Sequence, residues 1–242
     1  MLIHTNHCNE KEGRYIPETV FELRKFVAPE FIIGVDAREL AGRYAKNFGA
    51  AHILLVTGPD IIKAGWVADV TRSLGNEGVK CTVLSDVSPN PRDYEVMKGA
   101  EIYKEAGCDA IIAVGGGSPI DCAKGIGIVV SNERHILEFE GVDNVRIPAP
   151  PLICIPTTAG SAADVSQFAI INDTDRRVKI AIISKKIVPD ISLCDPVPLT
   201  SMPPELTAHT GMDAMDHSIE AYASNASSPV TDIHALESIR LI

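Results

Sequence analysis

The hydrophobic residues of the chain fall into short continuous runs that alternate with longer amphipathic stretches. The continuous runs predict strands at 15–21, 31–35, 52–57, 80–85, 109–114, 152–156, 178–183 and 191–194. Between them, apolar residues at helical spacing predict helices at 36–48, 60–74, 93–106 and 119–130, the first of them capped by Asp36. Continuous apolar strands that alternate with helices are typical of a parallel sheet covered on both faces. We therefore predict an α/β fold with a mostly parallel sheet.

The pattern changes near residue 196, where four prolines stand close together and the following sequence becomes helical. We predict a sheet domain over 1–196 and the beginning of an all-helical domain over 197–242. The sequence ends inside an amphipathic helical pattern, without a residue that would cap the helix. We therefore expect the chain to be the N-terminal part of a longer protein, with a truncated helical domain.

The composition of the chain limits the kinds of partner that the protein could bind and the cellular compartment in which it could lie. The formal net charge is −10, without a basic cluster, which disfavours nucleic acid and anionic membranes as partners. The six cysteines are scattered, and most lie in apolar runs, which favours a reducing compartment. Neither a signal peptide nor a membrane-spanning run is recognisable. We predict a cytoplasmic protein that forms a homo-oligomer.

The strand at 109–114 runs into three glycines, Gly115 to Gly117, followed by Ser118 and Pro119. Glycines let the backbone approach a ligand closely, and we expect Ser118 and Asp121 to cap the next helix. The N–H groups and the dipole of that helix would form an anion site suited to a diphosphate. The alternative is a tight turn without a ligand, and the spacing differs from GxGxxG.

A second turn, PTTAGS at 156–161, follows the strand at 152–156 and is rich in hydroxyl groups. Ligands of open α/β sheets bind at the carboxyl ends of the strands. We therefore expect both turns to lie at one binding edge. The alternative is that Thr157 and Thr158 only close the turn by hydrogen bonds to the backbone.

Residues 204–224 predict a helix with an apolar stripe beside a polar one that contains His209, Asp213, His217 and Glu220. Asp213 and His217 are one turn apart, which brings their Cβ atoms to about 5–6 Å. A carboxylate and an imidazole at this spacing could converge on one cation. The alternative is a solvated helix face.

Four segments together resemble the iron-containing (group III) alcohol dehydrogenase family: GGGSPIDCAKG at 115–125, IPTTAGSAADVS at 155–166, Lys179, and ELTAHTGMDAMDHSIEAYAS at 205–224. They occur in the family's order and cover nearly the whole chain. The resemblance implies a Rossmann-like dinucleotide-binding domain followed by a helical metal-binding domain.

The resemblance also implies roles for individual residues. The implied cofactor-binding residues are Asn90, Gly116, Gly117, Ser118, Asp121, Thr157, Thr158, Ser161, Ser166 and Lys179. The implied metal ligands are Asp213 and His217. The implied cofactors are NAD, with NADP as the alternative, and Fe²⁺, with Zn²⁺ as the alternative.

Ser161, Asp164 and Ser166 stand where the family more often has Thr, Glu and Thr, which keeps the hydroxyl or the charge, and two larger departures matter more. The two further histidines that complete the family's metal site have no match in this sequence, and His209 is a poor substitute because the family does not use that position. Gly58 stands where many members carry an aspartate that binds the adenosine ribose. Its absence removes a barrier to NADP, although Asp60 could take that role.

The leading hypothesis is an oxidoreductase that transfers hydride between a primary or secondary alcohol, or its aldehyde or ketone, and a nicotinamide cofactor at a divalent metal. The residues do not identify a general base. One alternative is a polyol dehydrogenase resembling glycerol dehydrogenase, with zinc in place of iron. Another is a non-catalytic nucleotide-binding or assembly fragment, because two metal ligands are missing.

Overall fold

The structure is a computed structural model that describes residues 26–242, so the strand predicted at 15–21 lies outside the described residues. The described residues form nine strands: β1 (Glu30–Ile33), β2 (His52–Thr57), β3 (Lys80–Leu84), β4 (Ala110–Gly115), β5 (Gly141–Val142), β6 (Leu152–Pro156), β7 (Phe168–Asp173), β8 (Val178–Ile183) and β9 (Ile191–Cys194). They also form seven α-helices: α1 (Ala41–Asn47), α2 (Pro59–Lys63), α3 (Trp66–Asn76), α4 (Asp93–Ala106), α5 (Gly117–Asn132), α6 (Pro204–Ala223) and α7 (Pro229–Leu241).

Six strands form one parallel sheet in the order β1, β9, β6, β4, β2, β3. The central strands β2, β4 and β6 are almost fully buried, as their continuous apolar sequences require. Successive side chains point to opposite faces, so Leu54 packs in the core beside α4 and α5, and Leu55 in the core beside α1 and α3. The predicted α/β fold with a mostly parallel sheet is confirmed.

The strand predicted at 178–183 is present as β8, but it does not join the main sheet. It lies in a second sheet with the order β5, β8, β7, in which Phe168 of β7 pairs antiparallel with Ile183 of β8. Only residues 174–177 join these two strands, and a parallel crossover needs a dozen residues or more. The short connection therefore forces a hairpin, and its first strand was not predicted.

Two predictions about the helices were wrong, one about the continuity of the helix at 60–74 and one about the capping role of Asp36. The helix expected at 60–74 is divided into α2 and α3 at Gly65, whose φ of 89° interrupts a right-handed helix. Asp36 has φ 66° and makes no capping hydrogen bond. Its carboxylate pairs instead with the Arg38 guanidinium at 2.9 Å.

The predicted helical region is present as α6 and α7, which pack against each other. Between them, Ser218 Oγ donates a hydrogen bond of 2.8 Å to Ser238 Oγ. The apolar stripe of α6 is largely exposed, with Met212 at 69%. None of the helices in the described range has the length and apolar character to cross a membrane. The domain division into 1–196 and 197–242 stays a prediction.

Gly42 of α1 lies against α3, and a Cβ atom there would come within 2.1 Å of Ser73 O. Gly42→Ala should therefore force the two helices apart and lower the free energy of unfolding by about 1–3 kcal/mol. Urea denaturation followed by circular dichroism measures the change. Gly75→Ala is the matched control, because a Cβ at Gly75 meets no atom within 4 Å. It should be neutral or stabilise by up to about 1 kcal/mol, and equal effects of both changes would contradict the packing argument.

Candidate functional site

A large cleft, with a volume of about 1590 Å³, opens at the carboxyl ends of the central strands. Its walls are the loops that follow β2, β3, β4 and β6, together with one side of α6. Parallel strands bring these loops to the same edge, which is the binding edge of open α/β sheets. All twelve residues predicted to bind the cofactor or the metal line this cleft.

The glycine loop joins β4 to α5 and lies directly against the second loop. A Cβ atom at Gly116 would be 3.0 Å from Thr158 Oγ1, and one at Gly117 would be 2.9 Å from Ser161 Oγ. The two loops are therefore closely packed here, and a side chain at either glycine would press on the Thr158 or Ser161 side chain. The first N–H groups of α5 stand at the cleft, where the helix dipole favours an anion.

The prediction that Ser118 caps α5 was wrong. The helix already begins at Gly117, and its N-cap residue, Gly116, provides no side-chain hydrogen bond. Ser118 Oγ instead accepts a hydrogen bond of 3.0 Å from the backbone N–H of Asn90. The serine thus connects the glycine loop to the turn after β3.

Asn90 and Lys179 form one polar group at the cleft. Lys179 Nζ donates a hydrogen bond of 2.6 Å to Asn90 Oδ1, and Asn172 Nδ2 donates one of 2.9 Å to Asn90 O. Asn90 has φ 56°, a conformation that asparagine tolerates better than most residues. The hairpin of β7 and β8 therefore holds a lysine ammonium beside the glycine loop.

Thr157 is buried at the start of the second loop, and its N–H donates to Gly115 O at 3.0 Å. Its hydroxyl Oγ1 is buried without a hydrogen-bond partner in the described part of the chain. A buried hydroxyl without a partner carries a free-energy penalty, which a polar ligand in the cleft would relieve. The lining therefore fits a phosphate-bearing ligand such as a dinucleotide.

Asp213 and His217 reach the cleft from α6. His217 Nδ1 lies 3.4 Å from Gly160 O in the second loop. A Cβ at Gly160 would be 2.7 Å from Thr210 O and 3.0 Å from Asp213 Oδ2. The missing side chain at Gly160 therefore lets α6 lie close to the loop, with the carboxylate and the imidazole at the same cleft as the glycine loop.

These two residues fit only part of a metal site. In the described residues, no group of three or more His, Cys, Asp or Glu side chains could hold a metal ion. His209 is exposed and does not line the cleft, and His234 stacks on Phe26 with ring centroids 6.5 Å apart. Asp213 and His217 thus offer two ligands of chemically suitable type, fewer than the three or four of a typical protein zinc site.

Sequence reasoning missed Lys124, which is fully buried in α5. Its Nζ donates to three carbonyl oxygens, those of Ala163 at 2.6 Å, Phe168 at 2.7 Å and Ser166 at 2.8 Å. Burial lowers the pKa of Lys124, and the charge of the Asp121 carboxylate opposes that shift. The sequence signal was a single lysine within the otherwise apolar segment 122–130.

Comparisons with known proteins agree with this arrangement. The sequence profile described as iron-containing alcohol dehydrogenase matches residues 28–196, and the profile for the C-terminal region of that family matches residues 207–242. The chain is 41% identical over 218 residues to alcohol dehydrogenase 4 of Schizosaccharomyces pombe, an alignment that covers 90% of this chain and 52% of that protein. It is 36% identical over 217 residues to the NAD-dependent methanol dehydrogenase of Bacillus methanolicus, covering 90% and 57%.

A solved structure of 1,3-propanediol oxidoreductase superposes with a TM-score of 0.89 at 36% identity, covering 91% of this chain and 58% of that one. Fold and cleft thus define an α/β protein of the Rossmann-like class, with its loops gathered at one edge of the sheet. The chain belongs to the iron-containing alcohol dehydrogenase family. It spans about half the length of the curated relatives that it matches.

Asp121 lines the cleft in the first turns of α5, where burial raises the pKa of its carboxyl group to about 6. The Lys124 charge and a hydrogen bond from the Ile170 backbone oppose that increase. The folded state thus holds the proton more tightly than the unfolded state, whose pKa is near 3.8. Ionisation should therefore cost stability as pH rises from about 4 to about 6.

Asp121→Asn removes the ionisation and keeps an acceptor for the Ile170 N–H. We expect the variant to gain about 2 kcal/mol over the wild type between pH 4 and pH 7, less than the full shift implies because the carboxyl reaches the cleft. Urea midpoints at several pH values measure the difference. A difference that does not change with pH would show that Asp121 titrates normally.

Proposed function

We propose that the natural protein containing this chain is a metal- and NAD(P)-dependent alcohol dehydrogenase or aldehyde reductase. The observation that carries this proposal is that one cleft contains both the glycine loop of α5 and the Asp213–His217 pair of α6. The names of the relatives support it, since they include an NAD-dependent methanol dehydrogenase and a 1,3-propanediol oxidoreductase. The substrate class that we infer is a small primary or secondary alcohol, or the corresponding aldehyde or ketone.

The cofactor diphosphate would lie at the N-terminus of α5. Gly116, Gly117 and Ser118 offer backbone N–H groups there, and the helix dipole adds a favourable potential. Lys179, held by Asn90 at 2.6 Å, adds a positive charge in a chain of net charge −10. Thr157 Oγ1 would gain the hydrogen-bond partner that it lacks among the described residues. The bound nicotinamide would accept or return the hydride.

The remaining predicted cofactor residues are part of the same proposal. Thr158 and Ser161 border the glycine loop, and Ser166 lies beyond the second loop, just before β7. Asp121 lines the cleft below the N-terminus of α5. With a pKa near 6 its carboxyl group is mostly ionised at neutral pH, so it would repel phosphate and would contact a hydroxyl or amide group more favourably.

Asp213 and His217 would hold the metal, Fe²⁺ or alternatively Zn²⁺, which supplies Lewis-acid polarisation of the substrate oxygen. The contact of 3.4 Å between His217 Nδ1 and Gly160 O suits the tautomer with a proton on Nδ1. In that tautomer Nε2 keeps its lone pair for a metal, and the carbonyl of Gly160 fixes the direction of the ring. The second loop would therefore bind cofactor and also orient a metal ligand.

We further propose that residues 1–196 form the dinucleotide-binding domain and residues 197–242 the beginning of the metal-binding domain. Association into a homo-oligomer and a location in the cytoplasm stay predictions. A glycerol-dehydrogenase-like activity on polyols stays the alternative within the same chemistry. Comparing propan-1-ol with glycerol as substrates, and identifying the bound metal by elemental analysis, separates these two activities.

The proposal predicts that Asp213→Asn or His217→Gln lowers alcohol turnover of the natural protein by about 100-fold or more, because the metal would be lost. NADH affinity should stay near the wild-type value, since neither residue belongs to the glycine loop. Steady-state kinetics, metal content and NADH fluorescence titration measure the three quantities.

Asp216→Asn and His209→Gln are matched controls for these changes. Both residues lie on α6, are exposed, and do not line the cleft, so their replacement should leave turnover unchanged. If the metal-loaded natural protein binds NADH but oxidises no alcohol, a non-catalytic nucleotide-binding or assembly role is supported instead.

Gly58 at the end of β2 allows a test of the NADP alternative. A Cβ at this position would meet Val87 O at 3.5 Å, an ordinary contact, so a side chain can be accommodated. Gly58→Asp should reduce the use of NADP relative to NAD by about tenfold or more, because its carboxylate would repel the 2′-phosphate. The ratio of kcat/KM for the two cofactors measures the effect. Gly58→Asn is the uncharged control, and an equal shift in both variants would contradict the electrostatic explanation.

A further inference from the structure

The ammonium of Lys124 is bound by a group of neutral oxygen atoms. An ammonium has three N–H donors and no acceptor, and Lys124 Nζ meets three carbonyl oxygens at 2.6 to 2.8 Å. Ser166 Oγ lies at 3.3 Å as a fourth oxygen. The Asp121 and Asp164 carboxylates act on Lys124 through their charge but accept none of these hydrogen bonds. The oxygen atoms therefore surround the Lys124 ammonium in the way that a protein surrounds a bound structural cation.

The three carbonyl groups belong to segment 161–168, which leads from the second loop into β7. This segment has an irregular backbone, with Ala162 at φ 51° and with the N–H groups of Val165 and Ser166 both bonded to Ala162 O. Its carbonyl groups at 163 and 166 have no place in a helix or a sheet ladder. A buried carbonyl without a donor is costly, so the conformation of the segment depends on the ammonium.

Segment 161–168 is attached to α5 at two levels. At the first turn of the helix, Ser161 borders Gly117, where an added Cβ would lie 2.9 Å from Ser161 Oγ. Two turns further along, Lys124 binds the other end of the segment. The segment includes Ser161 and Ser166, two of the residues assigned to the cofactor. One helix thus carries the glycine loop and also holds the segment that faces it.

We propose that Lys124 is a positioning residue that keeps segment 161–168 in its cofactor-binding conformation before the cofactor arrives. Its effect on the cofactor rests on the proposed function, whereas its effect on the segment does not. Preorganised groups bind more tightly because less conformational freedom is lost on binding. Loss of the ammonium should therefore weaken cofactor binding without a direct contact between Lys124 and the cofactor.

Hydrogen exchange tests the part that is independent of the cofactor. In Lys124→Met, amides of 161–168 should exchange at least about tenfold faster, while amides of β4 keep their protection. Lys186→Met is the matched control, because Lys186 is half-buried, donates to Val145 O at 2.9 Å and Arg146 O at 2.6 Å, and does not line the cleft. Unchanged exchange in 161–168, or an equal increase in β4, would overturn the proposal.

Chemical rescue tests the link to the cofactor. Lys124→Ala removes the atoms of one n-propylammonium ion, so NADH affinity should fall on the order of tenfold and n-propylamine should restore most of it. tert-Butylamine at the same concentration carries the same charge but has the wrong shape, and should not restore binding. Rescue by neither or by both amines would contradict a specific cation site.

The remaining outcomes also distinguish the two proposals. If the wild-type natural protein binds neither NADH nor NADPH, the proposed function fails, and hydrogen exchange still decides the role of Lys124. If Lys124→Met does not fold, Lys124→Gln replaces it, because the carboxamide keeps two donors without the charge. Failure of both variants to fold would contradict a local positioning role and would make Lys124 a general requirement of the core.

Discussion

The contact between the glycine loop and the second loop is the constraint on which the cleft depends. The parallel pairing of β4 with β6 ends where Gly115 meets Pro156, and the hydrogen bond from Thr157 N to Gly115 O continues it. Beyond that point the loops stay in contact because Gly116 and Gly117 leave room for hydroxyl side chains. A methyl group at either position would force the Thr158 or Ser161 side chain to move and would disturb the wall that faces the N-terminus of α5.

The position of α6 depends on the segment that connects β9 to α6, which is attached to the sheet domain at both of its ends. Arg38 and Asp195 form a buried ion pair with N and O 2.6 Å apart, just after β9. Trp66 Nε1 donates to Ser201 Oγ at 3.0 Å, immediately before α6 begins. Removing one partner of a buried ion pair is strongly destabilising, so this connection is fixed to the sheet domain. Helix α6 consequently starts from a fixed point and passes close to Gly160.

Sequence patterns predicted the features that depend on local chemistry and burial. The apolar runs of β2, β4 and β6 identified the centre of the sheet because strands buried on both faces must be apolar throughout. Features that depend on distant partners were missed. Ser118 is a residue type that commonly caps helices, but its hydroxyl accepts a hydrogen bond from Asn90 instead. Lys124 donates to the carbonyl of Ala163, which lies 39 residues later in the sequence. The break at Gly65 was missed because an isolated glycine inside a helical pattern does not reveal its φ.

Helices α6 and α7 bury few side chains in this structure, and Ile219 is 51% exposed. Apolar burial is the main source of stability in folded domains. Because α6 buries so little apolar surface, this burial contributes little to fixing the orientation of the helix. The orientation depends instead on the approach to Gly160, in the same loop that continues into the segment held by Lys124. One short stretch of backbone therefore connects the two features. The buried ammonium of Lys124 holds one end of it, and the helix that carries Asp213 and His217 lies against the other end. The geometry at the proposed metal position consequently depends on interactions inside the parallel-sheet fold.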